Sequence, residues 1–135
     1  MKAIVTTYYT DPSHGWLKVP KHVLRKLGIE DKITSYSYMK GEYAYLEEDQ
    51  DLGTFSKAVP NWEEWREKAK HSYSDKRSRI RNYSNYEVID ESIAQKIRNQ
   101  MYQMYSSSKA HRQIKNATID TLRFWNDKFQ LNYIL

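Results

Sequence analysis

The chain predicts an α+β fold: a small, mainly antiparallel sheet from residues 1–48, followed by about four helices. Three observations carry that expectation. The first 48 residues hold short β-branched and aromatic runs separated by turn residues. The stretch GWLKVPKHVLRKLGIEDKITSYSYMKGEYAYLEE, residues 15–48, fits a strand, a proline stop, a short helix and a hairpin into about a quarter of the chain. Beyond residue 50, apolar side chains recur at helical spacing.

Each element has its own reason. Lys2–Tyr9 has the composition of a strand, and Asp11-Pro12-Ser13-His14-Gly15 is a turn cluster. Trp16–Val19 reads as a second strand, pairing with the first, and Pro20 stops it because proline cannot donate to a ladder. Val23, Leu24 and Leu27 then share one helical face. Gly28 stands at the C′ position, and Ile29 follows where it can close a Schellman contact. Ile33–Met39 and Glu42–Glu48 form a hairpin about a Lys40-Gly41 turn.

Asp51 is placed to cap a short helix bearing Leu52, Phe55 and Val59, which Pro60 interrupts. A second helix runs to Lys70 with Trp62 and Trp65 on one face. His71–Tyr86 has no apolar period and is expected to be an exposed loop. Asp90 reads as the cap of a helix striped by Ile93, Ile97, Met101 and Met104. Ser106–Ser108 breaks it, and a last helix is expected from about Lys109 to Phe129, before an apolar LNYIL tail. The expected organisation is a sheet domain with short helices over 1–70, a basic loop over 71–90, and a helical region over 91–135 packing on the sheet.

Composition narrows the function classes. A chain of 135 residues is one domain, or one domain with a helical extension. It has no cysteine, which excludes disulfides and thiolate zinc sites. No run reaches the length of a membrane span and the N-terminus has no apolar leader, so a soluble, cytoplasmic protein is expected. Charge is uneven: residues 1–50 carry seven basic and seven acidic residues, and residues 51–135 carry fifteen and ten. A positive half of this kind favours polyanionic or acidic partners.

The candidate site follows from that asymmetry. Arg66–Asn82 carries seven basic residues against two acidic ones, and its core interleaves Lys76, Arg77, Arg79 and Arg81 with Tyr83 and Tyr86 nearby. Clustered cations neutralise phosphates, and tyrosine rings stack on unpaired bases. The acidic string Glu47-Glu48-Asp49-Gln50-Asp51 reads as a strand exit and helix cap rather than a metal site. Four histidines lack metal-ligand spacing, and no nucleophile or phosphate-loop motif occurs. No catalytic residue, metal or cofactor is therefore expected.

Two resemblances add context. DPSHGWLKVP at residues 11–20, LGIEDKITSYSY at 27–38 and YLEED at 45–49 resemble small uncharacterised proteins of phages and other mobile elements. That implies an accessory role: binding DNA, RNA or a host nucleoprotein complex, or, alternatively, inhibiting a host defence nuclease in the manner of an anti-CRISPR protein. Residues 15–46 also resemble AbrB-type swapped-hairpin DNA-binding domains, whose strand ends in V-P and whose helix ends in L-G-I. This second resemblance implies an intertwined homodimer with Lys18, Lys21, Arg25 and Lys26 facing DNA. The expectation is a non-enzymatic binding protein, with a homodimer as one way to cover the helical half.

Overall fold

The computed structural model describes residues 1–88, 91–129 and 131. The chain divides into two units, Met1–Tyr86 and Glu87–Leu135. The expected Asp90 cap and the tail beyond Leu131 lie outside the described residues.

The α+β class holds. In the first unit, β1 (Thr7–Thr10), β2 (Gly15–Pro20), β3 (Tyr38–Lys40), β4 (Tyr43–Glu47), β5 (Lys70–Tyr73) and β6 (Ser84–Asn85) form one sheet. Its order is β5-β1-β2-β4-β3-β6, antiparallel except for the β1–β5 pair. Two of its strands thus come from the segment 71–90 and its margin, where the residue pattern predicts a loop. β5 is exposed throughout and polar, so it has no apolar alternation to announce it. The open edge of β1 makes it a strand: the Lys70 N–H donates to Thr6 O at 2.8 Å and the Ser74 N–H to Thr10 O at 2.9 Å.

Pro20 ends β2, and α1 (Lys21–Lys26) follows at once. The Gly28 N–H donates to Arg25 O and the Ile29 N–H to Leu24 O, both at 3.0 Å. Gly28 has φ +71° and Ile29 is buried, which completes the Schellman motif. A 3-10 turn, Glu30–Lys32, follows, and β3 begins only at Tyr38, so residues 33–37 of the expected third strand are not strand. Lys40 pairs with Tyr43, so the hairpin loop is Gly41-Glu42, one residue later than expected. Gly41, at φ +61°, takes the first loop position.

The sheet has two unlike faces. Alternation puts Leu17, Val19, Met39, Ala44 and Leu46 on one side, all buried. α1 packs on β2 there, and α2 (Asp51–Ala58) packs on β4. α3 (Trp62–Lys68) joins through Trp65, whose ring meets Phe55 edge-on at 5.3 Å.

The acidic string is the hinge between β4 and α2. The Glu47 carboxylate accepts the N–H groups of Asp49, Gln50 and Asp51, at 2.8, 2.5 and 3.0 Å. It thereby satisfies donors that the helix start leaves free. Asp51 is fully buried and is not the cap. Its carboxylate accepts from Thr34 N–H (3.1 Å), Thr34 Oγ1 (2.7 Å) and Ser37 Oγ (2.5 Å), pinning the 33–37 segment under the sheet.

The second unit is helical. α4 (Glu91–Met104) buries Ala94, Ile97 and Met101, a stripe rotated from the expected one, and leaves Met104 exposed. The expected last helix is two helices, α5 (Ser108–Lys115) and α6 (Ile119–Lys128). Ser107 Oγ accepts the Ala110 N–H at 3.1 Å, and Thr118 Oγ1 accepts the Thr121 N–H at 3.2 Å. Each hydroxyl starts its own helix, and the second divides the pair.

Replacing the Asp51 carboxylate leaves three donors without their acceptor. Asp51→Ala is expected to lower unfolding stability by about 3 kcal/mol. Urea denaturation followed by far-UV circular dichroism measures this, and a decrease under about 1 kcal/mol contradicts it.

Candidate nucleic-acid interface

The face of the sheet opposite the helices carries the site. The register places Tyr9 on β1, Trp16 and Lys18 on β2, Tyr43 and Tyr45 on β4, Tyr38 and Lys40 on β3, and Lys70 on β5 along this face. Trp16, Tyr45 and Ile80 form a buried cluster, with Tyr9, Tyr38 and Tyr83 packed around it. Ile80 comes from a 3-10 turn, Arg79–Asn82, that folds back over one end of this face. The other end stays open.

One ion pair holds the fold-back in place. Asp11 ends β1's turn with a carboxylate only 1% exposed. Its Oδ2 accepts Arg81 Nε at 2.8 Å and its Oδ1 accepts Arg81 Nη2 at 2.9 Å. The Ser13, His14 and Ser78 N–H groups donate to the same carboxylate, each at 3.0 Å. The Arg81 guanidinium holds the Asp11 carboxyl far below the usual carboxylate range, assisted by those backbone donors against the cost of burial. The same bond raises the Arg81 pKa. The guanidinium also lies over the Trp16 ring at 5.4 Å.

The sequence-predicted residues therefore divide. Arg81 is a structural ion-pair partner. Tyr86 is buried, with its hydroxyl donating to Glu30 O at 2.7 Å, so it cannot offer a ring to a ligand. Lys21 is buried at the start of α1, and Arg25 pairs with Glu30 at 3.5 Å. Upstream in the basic run, Arg66 pairs with Glu63 at 2.6 Å and Lys68 with Glu64 at 3.2 Å. Lys26, Lys76, Arg77 and Arg79 are exposed, and Arg77 donates to Asn82 Oδ1 at 3.0 Å. Lys18 lies 4.2 Å above the Tyr43 ring, which is 39% exposed. Tyr83 stacks at a tilt on Tyr45, 5.1 Å away, beneath the ammonium of Lys40 at 4.8 Å. Burial, then the neighbouring Tyr83 and Tyr9 rings, raise the Tyr45 pKa and keep its phenol neutral.

Sequence reasoning misses Lys40, and counts Lys70 in the basic run without placing it on the sheet. Lys40 reads as a turn residue, and the strand that presents Lys70 has no pattern. Period-two spacing from Tyr38 and Tyr43 is the signal that finds Lys40.

At the covered end, His14, Glu48 and Asp49 approach each other, with ligand-type atoms within 4.8 Å, a grouping that sequence spacing does not foresee. His14 Nδ1 lies 3.9 Å from Glu48 Oε1, and the Tyr8 hydroxyl donates to Glu48 Oε2 at 3.0 Å. Burial, and then that bond to Glu48, push the Tyr8 phenol up to about 12. Among the described residues, no helix is long and apolar enough to cross a membrane.

No protein-family model matches the chain, and neither a curated protein nor a solved structure matches it. β2, α1 and the hairpin keep the V-P-helix-L-G-I order, with β2 pairing to β1 and β4 of its own chain.

The depressed Asp11 pKa sets an acid limit to stability. The pair contributes fully above the unfolded carboxylate value near 4, and the contribution fades progressively as pH falls below it towards the folded value. Asp11→Asn is expected to cost about 3 kcal/mol at neutral pH, the low end for a buried pair because Arg81 retains some solvent contact. A Tm series from about pH 7 to about pH 2 tests this. The difference between the two proteins should shrink below about pH 4, and a constant difference refutes the linkage.

Proposed function

We propose that this protein is a non-enzymatic nucleic-acid-binding protein that holds the phosphate backbone on the open face of its sheet. One observation carries the reading: Lys18, Lys40 and Lys70 share that face with Tyr9, Tyr43 and Tyr83, and the exposed Arg79 belongs to the segment folded over it. Lys76 and Arg77 extend the positive surface along the chain from β5.

The carboxylate that the register puts on the same face is Glu47, and both its oxygens accept backbone N–H groups. The positive field on the open face thus stands with little opposing charge of its own. Phosphates are drawn to such a field, and binding releases counterions. The cation–π geometry supports the reading in a second way. Lys18 and Lys40 rest on tyrosine rings, so part of the side-chain entropy of immobilising them is given up before a ligand arrives.

A protein-contact inhibitor acting through the acidic string has less support. Glu47 and Asp51 are committed to internal hydrogen bonds, which leaves Glu48 and Asp49 too few to imitate a phosphate backbone. The mobile-element setting suggested by the sequence motifs accommodates the nucleic-acid reading, with DNA, RNA or a host nucleoprotein complex as the partner.

The test is fluorescence anisotropy on a labelled single-stranded oligonucleotide over a range of salt concentrations. Log affinity should fall linearly with log salt. The triple variant Lys18→Gln, Lys40→Gln, Lys70→Gln should make the slope shallower by about 2, at about 0.7 for each phosphate it no longer neutralises. Binding indifferent to salt, or an unchanged slope in the variant, overturns the proposal.

A further inference from the structure

We infer that the open cavity beside Trp16 receives one unpaired base of a single-stranded nucleic acid. The inference rests on the nucleic-acid reading above and names its substrate class. The cavity encloses about 410 Å³, within the range of small-ligand sites. Tyr38 gives it ring surface from the sheet, the buried Trp16 lies beneath Arg81 as its floor, and Tyr36, 72% exposed, adds a ring at the mouth. Arg81, His14, Glu47, Asp49 and Gln50 supply its polar lining, and both Glu47 oxygens already accept backbone N–H groups.

The lining selects among ligand classes. A phosphate would meet the carboxylate of Asp49. A cationic side chain would meet the guanidinium of Arg81, which already covers the Trp16 ring. A wholly apolar ligand would strip water from these polar groups and return nothing. A nucleobase satisfies the set: it is flat and aromatic, and its edge carries both donors and acceptors. Its amino or imino N–H groups suit Asp49, its carbonyl or ring acceptors suit Arg81, and Gln50 can complement either. A base stacked and paired in a duplex offers neither its faces nor that edge, so the base must be unpaired.

Position agrees with chemistry. Tyr38 and Lys40 are alternate residues of β3 on one face, roughly 7 Å apart along the strand. A phosphate held by Lys40 therefore lies close enough for a neighbouring nucleotide to turn its base into the cavity. The Asp11–Arg81 pair fixes one wall before any ligand binds.

The experiment uses the full chain with labelled single strands, the matching duplex, and a single strand containing abasic sites, all at one salt concentration. The single strand is expected to bind at least about tenfold more tightly than either the duplex or the abasic strand. Tyr36→Ala, a surface change, should weaken single-strand binding by about tenfold while leaving the salt slope as it was. Equal affinity for the natural and abasic strands, or for strand and duplex, with the expected salt slope retained, overturns the cavity assignment and leaves the phosphate-binding surface standing. Absence of binding to every polyanion at low salt overturns both.

Discussion

The Asp11–Arg81 pair is the constraint on which the sheet's second face depends. It joins the β1–β2 turn to a segment 70 residues later. Five donor groups converge on one carboxylate that solvent scarcely reaches. A charge so placed is tolerable only because its lone pairs are used and its countercharge is bidentate. Once formed, the pair brings Ile80 down on Trp16 and Tyr45 and sets Tyr83 against Tyr45. Without it, the Arg79–Asn82 turn has Ile80 as its one buried side chain, and burying that side chain contributes only about 2 kcal/mol.

Charge in this protein is sorted by what it can reach. Glu47 faces the start of α2 and collects three N–H groups. Asp51 faces inward and collects two hydroxyls and an N–H. Glu63 and Glu64 pair with Arg66 and Lys68 one helical turn on. Each of these carboxylates is engaged within the fold or along its own helix. What reaches the open sheet face is therefore mostly cationic, although the first 50 residues are electrically balanced.

Much of the fold is legible in the residues. Pro20, Gly28 and Ile29 spell out a strand end, a helix end and its lock, and the structure has all three. The hairpin is legible too, because Tyr43 and Tyr45 alternate along the strand that follows a glycine turn. β5 is not, since an exposed edge strand has no burial to pattern it and takes its conformation from β1. The division of α5 from α6 rests on Thr118, a hydroxyl that reads equally well as a stripe residue or a cap. In the site, composition locates the basic run but does not sort it. Arg79 and Arg81 are two residues apart in the same 3-10 turn, yet one is exposed and the other is spent on an aspartate distant in sequence. Only the tertiary partner distinguishes them.

The tyrosines explain why such a face can be both structural and available. A valine or isoleucine at these positions would demand cover, because it has nothing to offer water. Tyrosine buries its ring edge against Trp16 or Tyr45 while its hydroxyl and upper surface remain acceptable to solvent. The same ring supports an ammonium, as Tyr43 does for Lys18 and Tyr83 for Lys40. The sheet can therefore leave this end uncovered by helices at small cost. A face built this way keeps Lys18 and Lys40 over rings rather than paired with carboxylates, and so holds its charges in position on an uncovered sheet.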